Sequence, residues 1–550
     1  MPYSARSVLR SRNYSNSDSV VRTHSANVAE RLKDAAATAA GRSRCRICVI
    51  GGGPAGAVAA KRLVEMGHGA WLLELASFPR SRVGESLVPG VIPLLDELGV
   101  REAVESAGFI EAGAPHVLWA GYVDRQGPEA PDSGLLVNRG QFDTLLLDAA
   151  KAAGVQVLQP ARAGSPYRHA GAWRIPVTHA DGRSNFEADF IVDASGSASL
   201  LPGRKHRLSP ATLALFAYWT DVPLTGSCAR IEAVSAAWFW GAPLPDGLFN
   251  ATVFIDPTSI AGLRASELRD RYCELLAQST LLRPCLDGRL GSVIHACSAA
   301  TRIVQPVAST DFIKAGDAAF LLDPLSSQGV QRAIVSSLQA AIVVNTLLRR
   351  PSDASTALAF YEARQIETID ADLRVGREIY RRQAEASGTP FWHRYVSDVV
   401  SDVPAPSPPV RIAAPNSSQV VMLAPAAFVA PAPAIRDEFV ETLPALHHPR
   451  LERAVAFFGN TPITALLRAL ATPVPISTLY CKWTKLMSAS RAMEALAWCW
   501  DNGIMVPEAG IPDDAERLPQ IQHSGSLRDA RVTRLGSSQQ RYVRRPRLNF

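Results

Sequence analysis

The residues of this chain that could do chemistry begin with a run of glycines. Gly51-Gly52-Gly53-Pro54-Ala55-Gly56 follows the apolar Ile47, Val49 and Ile50 and precedes an amphipathic segment to about Met66, after which Trp71-Leu72-Leu73 reaches Glu74. Strand, glycine turn, helix, strand and acid, in that order, make a dinucleotide-binding βαβ unit. Gly51 permits a tight turn, Gly53 lets the backbone approach a pyrophosphate, and Gly56 lets helix and sheet pack closely. The helix that opens at Pro54-Ala55 offers free N–H groups to phosphate charge. Glu74 stands 18 residues beyond Gly56, where ribose hydroxyls would sit.

Two later segments carry the next signals. Gly316-Asp317 ends a distant strand-like run, Phe312-Ile313-Lys314, and an Asp there can accept hydrogen bonds from a ribityl chain. It reads equally as a helix N-cap. Asp323-Pro324-Leu325-Ser326-Ser327-Gln328-Gly329-Val330 then makes a Pro-led turn into a long apolar helix, whose N–H groups and positive end would stabilise the anionic edge of a reduced flavin. Together with the glycine turn, this pattern specifies FAD rather than a nicotinamide dinucleotide alone.

These motifs resemble the flavoprotein monooxygenase superfamily with the p-hydroxybenzoate hydroxylase type of fold, which includes the flavin-dependent halogenases. The resemblance covers roughly residues 45 to 400 and also rests on Arg139, which precedes a helix in Val137-Asn138-Arg139-Gly140-Gln141-Phe142-Asp143. Arg82-Val83-Gly84-Glu85-Ser86-Leu87-Val88-Pro89-Gly90 is similar to the halogenase-like branch, where the Gly-Glu-Ser segment belongs to a loop near the flavin. Trp238-Phe239-Trp240-Gly241-Ala242-Pro243 is similar to the halogenase Trp-x-Trp-x-Ile-Pro motif, with Ala242 in the isoleucine place. Its two tryptophans also read as a pair packing one strand face into a core.

Halogenases of this branch need a lysine shortly after the Gly-Glu-Ser loop, and this chain has none between Lys61 and Lys151. At the corresponding place stands Phe109-Ile110-Glu111-Ala112-Gly113-Ala114, ending at Trp119. No other side chain supplies that ammonium. Gln328, and Ile379-Tyr380-Arg381-Arg382 followed by Pro390-Phe391-Trp392-His393-Arg394, look instead like flavoproteins encoded with quinone-cofactor amine dehydrogenases and amino-acid oxidases. Those proteins modify a tryptophan in a partner polypeptide.

What the resemblance implies is a FAD-dependent monooxygenase. Reduced FAD meets O2, and a C4a-hydroperoxide hydroxylates an electron-rich aromatic ring, a tryptophan of a partner polypeptide. A FAD-dependent halogenase is the second reading and a non-catalytic, flavin-bound maturation factor the third. NAD(P)H docking transiently, or a separate flavin reductase, supplies electrons, since no second glycine-rich βαβ unit is legible. The expected cofactor contacts are Gly51, Gly53, Pro54, Ala55, Gly56, Glu74, Arg82, Ser86, Arg139, Gly316, Asp317, Pro324, Gln328, Gly329 and Val330. Flavin-proximal candidates for a catalytic role are Glu85, Ser86, Trp238, Trp240, Pro324 and Gln328. Oxygen transfer of this kind needs mainly positioning and a dry site.

The elements that must place these residues suit an α/β fold: a FAD-binding Rossmann-like domain of the glutathione reductase type, interleaved with a β-sheet substrate domain and followed by a small C-terminal helical module. The core is expected over 44–400. Its FAD-binding pieces are 44–110, 135–204 and 311–400, and its substrate sheet spans about 205–310. An N-terminal arm (1–43), a Pro/Ala-rich linker (401–440), the module (441–510) and a basic tail (511–550) complete the chain.

With 550 residues, 47% hydrophobic composition and a mean hydropathy of +0.03, the chain can bury a large core. Its net charge of +6 gathers at the ends, with eight Lys/Arg against three acids in residues 1 to 44 and eight Arg in 517 to 550, so nucleic acid is not an expected partner. Eight scattered cysteines suggest a reducing cytoplasm rather than a disulfide framework. Cys45 and Cys48 lie three apart on a strand and should point to opposite faces, so no metal site is expected. Pro425, Pro431 and Pro433 interrupt the nearest approach to a membrane span, and no membrane association is expected.

Overall fold

The computed structural model describes residues 42–125, 134–291, 293–397 and 416–508. The N-terminal arm before Arg42, most of the linker's first half and the basic tail lie outside the described residues.

Alternation along Arg42–Ile50 sends Ile47 and Val49 to one core and Cys48 and Ile50 to another, so the strand is apolar on both faces. A strand of that kind belongs inside a parallel sheet covered on both sides. Arg42–Ile50 pairs in parallel with Ala70–Leu73 on one side and Gly182–Asp193 on the other; Gln156–Leu158 and Phe312–Lys314 extend the parallel set outward. Helices α1 (Pro54–Glu65) and α2 (Arg139–Ala152) pack against one another beside this sheet. Three non-contiguous pieces of chain therefore build one nucleotide-binding sheet, as the motifs require.

A second sheet joins Leu213–Thr220, Phe249–Ile255, Trp238–Pro243 and Cys228–Ala233 in antiparallel order, and Cys228–Ala233 then pairs in parallel with Ile110–Trp119. Its far edge carries Gly134–Leu136 and Ser86–Leu87, so the sheet reaches the Gly-Glu-Ser loop directly. Helix α3 (Ala265–Leu276) interrupts the region expected to be all sheet, and its apolar face covers the outer side of the strands through Tyr272, Leu275 and Leu276.

Helix α4 (Gly329–Arg349) is apolar nearly all round, from Ile334 through Leu338, Ile342, Val343 and Val344 to Leu347, which dictates burial. It packs on α1 and on α5 (Ala354–Ser387), and α5 leads through Gly388, a left-handed C-cap at φ 64°, into α6 (Pro390–Ser397).

The C-terminal part departs from the sequence expectation. Residues 420–440, expected within a linker, and 441–447, expected in the module, form the strand Val420–Leu423 and the hairpin Phe428–Arg436 with Phe439–His447. Pro431 and Pro433 fit because they lie on an outer strand, where a missing N–H costs no central ladder bond. The hairpin is anchored: Asn345 Nδ2 donates to Glu438 O at 2.9 Å, Val440 N to Thr346 Oγ1 at 3.0 Å, and Arg62 pairs with Glu438 at 2.9 Å. The following module carries the expected helices, Ile463–Leu467, Ile476–Trp483 and Ala489–Asp501, on a small sheet in which Val420–Leu423 pairs with Val474–Pro475 and Met505–Pro507. Trp483 and Trp500 are buried in its core and Trp498 packs against Phe458, so the tryptophans hold the module together.

Cys45 and Cys48 also differ from expectation, because both enter the same core cluster. Among the described residues no group of His, Cys, Asp or Glu could hold a metal ion. No described helix is long and apolar enough to cross a membrane.

The glycine turn gives a direct test of the fold. A Cβ on Gly56 would overlap Gly51 O and crowd Ala194, both backbone-fixed. Gly56→Ala is expected to destabilise the protein by about 3 kcal/mol, read as a lower denaturation midpoint.

Candidate active site

The carboxyl ends of Arg42–Ile50, Gly182–Asp193 and Phe312–Lys314 come side by side, with Ile50 opposite Asp193 and Asp193 opposite Lys314. Ligands of open α/β sheets bind in the crevice beyond such ends. Gly51 (φ 105°) turns tightly under Ala194, and a Cβ on Gly316 (φ 57°) would stand 2.9 Å from Ala55 Cβ. The first piece of the chain therefore meets the second at Gly51 and the third at Gly316. Gly53, in contrast, has nothing near its missing Cβ except the Arg80 guanidinium at 3.3 Å. Its α-carbon opens onto free space at the N-terminus of α1, whose first N–H groups have no intrahelical acceptor. Glu74 is buried at the end of Ala70–Leu73; it accepts from Gly52 N at 2.6 Å and Ala76 N at 2.9 Å, which aims the carboxylate at the turn.

Asp317 makes no hydrogen bond or ion pair with the described residues. Burial pushes its pKa upward, while Arg139, Arg302 and Arg82 pull it back. A carboxylate left with open acceptor sites beside a glycine cradle fits the ribityl hydroxyls of FAD, and the open face of Gly53 fits the pyrophosphate. The residues present therefore fit this cofactor.

A fully buried carboxylate secures the surrounding loops. Asp143 on α2 takes Arg139 Nε at 2.9 Å and Nη2 at 3.2 Å through its two oxygens, and also accepts Arg80 Nη1 at 3.1 Å. Arg139 turns its remaining nitrogen to the carbonyls of Val83 (2.9 Å) and Gly84 (3.3 Å). Arg80 lies 3.5 Å from Glu74 and stacks over Phe78 at 4.5 Å. Burial lowers the Arg80 pKa, against the opposing charges of Asp143 and Glu74. Four of the five guanidinium N–H bonds of Arg139 are used internally, so it acts first as a loop clamp. Arg82, expected as a cofactor contact, is exposed on the same loop.

Glu85 is buried and turned into the second sheet. Its oxygens accept from Tyr218 OH at 2.7 Å, Asn250 Nδ2 at 3.1 Å and Gly84 N at 2.7 Å, and Asn250 in turn accepts from Thr252 at 2.8 Å. Burial, followed by the Glu85 charge, raises the Tyr218 pKa. On the same sheet face His295 stacks on Phe216 at 4.9 Å, and burial raises the pKa of Cys297, with the Asp317 and Glu85 charges adding to it.

Beyond this polar cluster is an aromatic core of Trp119, Trp238, Tyr380, Trp392 and Tyr395, whose rings pack on one another. Trp238 stacks on Phe254 at 3.6 Å, and its buried indole N–H finds no acceptor among the described residues. Trp119 Nε1 donates to Ile379 O at 3.1 Å and Trp392 Nε1 to Val234 O at 2.8 Å. Trp240 is half-buried against the same cluster, as are Leu325 and Cys297. This aromatic cluster therefore adjoins the turn that opens α4. That turn presents Pro324 and Gly329 to solvent, buries Val330, and fixes Gln328 through Arg332 Nε at 3.0 Å. Ser86 is half-buried on the edge strand opposite Leu136.

Of the described lysines, none packs in this cluster. Lys314, nearest in sequence to Gly316-Asp317, is buried with its Nζ donating to the carbonyls of Pro202 at 3.0 Å and Pro306 at 2.9 Å. Lys205 is exposed and bonds the Ser197 and Ala198 carbonyls.

Sequence reasoning missed Arg80, Tyr218, Asn250 and the contact of Asp372 with Asp323. Asp143 was in view, four residues after Arg139 on the same helix, but Tyr218 and Asn250 meet Glu85 only through strand register. The buried ion cluster is testable: Asp143→Asn leaves two guanidiniums without their charge partner, and is expected to cost about 3 to 5 kcal/mol of stability, with weakened retention of any bound flavin.

With the geometry established, comparison with known proteins gives concordant findings. The family model for tryptophan halogenase matches residues 46–130 and 124–405. Tryptophan 2-halogenase of Chondromyces crocatus is 31% identical over 340 residues, covering 58% of this chain and 65% of that protein's length, just under two thirds. Flavin-dependent halogenase armH2 of Armillaria mellea is 29% identical over 376 residues, covering 62% of this chain and 73% of that protein. Among solved structures, peptidyl tryptophan dihydroxylase QhpG, essential for tryptophylquinone cofactor biogenesis, is similar with a TM-score of 0.64 and 27% identity, covering 84% of this chain and 99% of that one. The flavin-dependent halogenase CmlS shares the fold at a TM-score of 0.66 and 20% identity, covering 84% and 96%. The chain belongs to the tryptophan halogenase family.

Proposed function

We propose that this protein is a FAD-dependent monooxygenase that hydroxylates an electron-rich aromatic ring, a tryptophan of a partner polypeptide. The observation that carries this reading is a packed aromatic cluster beside the flavin crevice with no lysine among the described residues around it. Lys314 and Lys205 hold backbone carbonyls elsewhere. Positioning of a hypohalous acid needs an ammonium there, whereas oxygen transfer needs a dry, shaped site. The similarity to a peptidyl tryptophan dihydroxylase over nearly that protein's whole length supports the same direction.

Gly51 to Gly56, Glu74 and the N-terminus of α1 would hold the adenosine and pyrophosphate, Asp317 the ribityl chain, and the turn Pro324 to Gln328 the pyrimidine edge. Bound and reduced, FAD would supply the electron pair for activating O2, with NAD(P)H or a separate reductase replenishing it. Trp119, Trp238, Trp392 and the Tyr380–Tyr395 stack would exclude water on that side of the site. Glu85, held by Tyr218 and Asn250, has both oxygens engaged and fixes the loop at the mouth. The Trp238 N–H is buried within this cluster and has no acceptor among the described residues.

The family match favours a second reading, halogenation of an aromatic substrate, in which some other cation would replace the missing lysine.

Two outcomes test the proposal. Gly53→Ala adds a methyl group facing only the Arg80 side chain, so its melting temperature should stay near wild type while FAD affinity falls about tenfold or more; unchanged flavin content would remove the assigned cradle. Remote contacts on a polypeptide supply binding energy that can be used to place the reacting ring. NAD(P)H oxidation coupled to product should therefore be faster with a Trp-containing polypeptide than with free tryptophan, in turnover number as well as affinity. Efficient coupled turnover of the free amino acid, with no gain from the polypeptide, would contradict a polypeptide substrate.

A further inference from the structure

Asp323 stands in the turn between the flavin crevice and the aromatic cluster. Its Oδ1 accepts from Leu325 N at 3.0 Å, capping the short turn Pro324–Ser326. Both its oxygens accept from the Tyr380 hydroxyl, at 3.0 and 2.9 Å. Its own N–H donates to Asp372 Oδ2 at 3.1 Å. Asp372 and Tyr380 are eight residues apart on α5, close to two turns, so one helix face presents both groups to the same turn.

Two half-buried carboxyl groups thus flank one turn, and no lysine or arginine forms an ion pair with Asp323 among the described residues. The charged and titratable groups facing it are Asp372 and Tyr380 from α5 and Tyr395 from α6; the cation on this side, Arg332 from α4, is directed at Asp372. Like charges so placed cannot both ionise cheaply, which favours one proton held between them. Tyr380 also stacks on Tyr395 at 4.3 Å and lies 6.0 Å from Trp119 and 5.9 Å from Trp392. Its hydroxyl is on the turn and its ring is in the aromatic cluster.

We propose that Asp323 is a positioning residue that shares a single proton with Asp372, so that the Pro324–Gln328 turn seats against Tyr380 while one of the two carboxyls is neutral and is pushed from it by like-charge repulsion when both ionise.

Burial, with Asp372 adding to it and the Leu325 and Tyr380 hydrogen bonds opposing, pushes the Asp323 carboxyl up to about 7. Burial raises Asp372 as well. A folded-state value above the unfolded one means that the fold binds this proton more tightly than the open chain. The resulting stabilisation is full below the unfolded value of about 4 and is lost as pH rises toward about 7.

The test uses the full chain, without flavin and loaded with FAD. Tryptophan emission of the flavin-free protein, and FAD affinity, are followed from about pH 5.5 to about pH 9. Wild type should show one transition near pH 7 in both signals. Asp323→Asn keeps an oxygen acceptor for Leu325 and Tyr380 but cannot ionise. It should lose the transition and, at the alkaline end, hold FAD roughly fivefold more tightly than wild type. Asp372→Asn removes the neighbouring charge and should move the transition to lower pH without abolishing it, which keeps the test decisive if Asp323→Asn does not accumulate as folded protein. A transition unchanged in either variant, or its absence from wild type, overturns the proposal.

Discussion

The buried Asp143 carboxylate is the contact on which the site depends. It faces two guanidiniums, and through them it ties together Arg80 after the βαβ unit, Arg139 at the head of α2, and the Val83–Gly84 carbonyls of the Gly-Glu-Ser loop. A charge pair removed from water gains little over a hydrophobic replacement, but breaking one leaves an uncompensated charge in low dielectric. The cluster therefore enforces one arrangement more than it adds stability. With the loop fixed, Glu85 is committed to Tyr218 and Asn250, and the second sheet is registered against the nucleotide-binding sheet. The crevice and the aromatic cluster then adjoin.

The division of labour follows from burial. On the crevice side the walls are backbone: glycine turns, helix N-termini and one open carboxylate at Asp317. On the aromatic side they are packed rings whose polar atoms are satisfied internally, apart from the Trp238 N–H. Such a cluster excludes water. Asp323 and Tyr380 bridge the two sides, one group capping the turn and the other stacked in the wall.

Much of the cofactor half was legible in the sequence because its constraints are local. Gly51 and Gly56 are demanded by contacts within a few residues or with the adjacent strand, and the Asp323–Gly329 turn and its helix read from composition and periodicity. The substrate half was less legible because its contacts depend on register: Tyr218 and Asn250 lie on paired strands and reach Glu85 from more than a hundred residues away. The tryptophan pair of the Trp-x-Trp segment proves to be part of the aromatic core, with Trp238 stacked on Phe254, which sequence spacing left open. Pro431 and Pro433 suggested a linker, yet they occupy an outer strand whose hairpin is held by Asn345 and Thr346 of α4, a tertiary anchor that no local pattern announces. Arg82, expected as a cofactor contact, lies exposed on the loop that Arg80 and Arg139 clamp.

The proposed reaction, oxygen rather than halogen inserted into a tryptophan ring beside a FAD crevice without a lysine, is distinguished by isotope tracing during turnover: the enzyme, FAD, a reductant, a Trp-containing polypeptide and bromide under oxygen-18 gas, with the polypeptide analysed by mass spectrometry. Oxygen-18 on the tryptophan ring and no bromine isotope doublet is the expected result. A brominated ring without label would overturn the proposal.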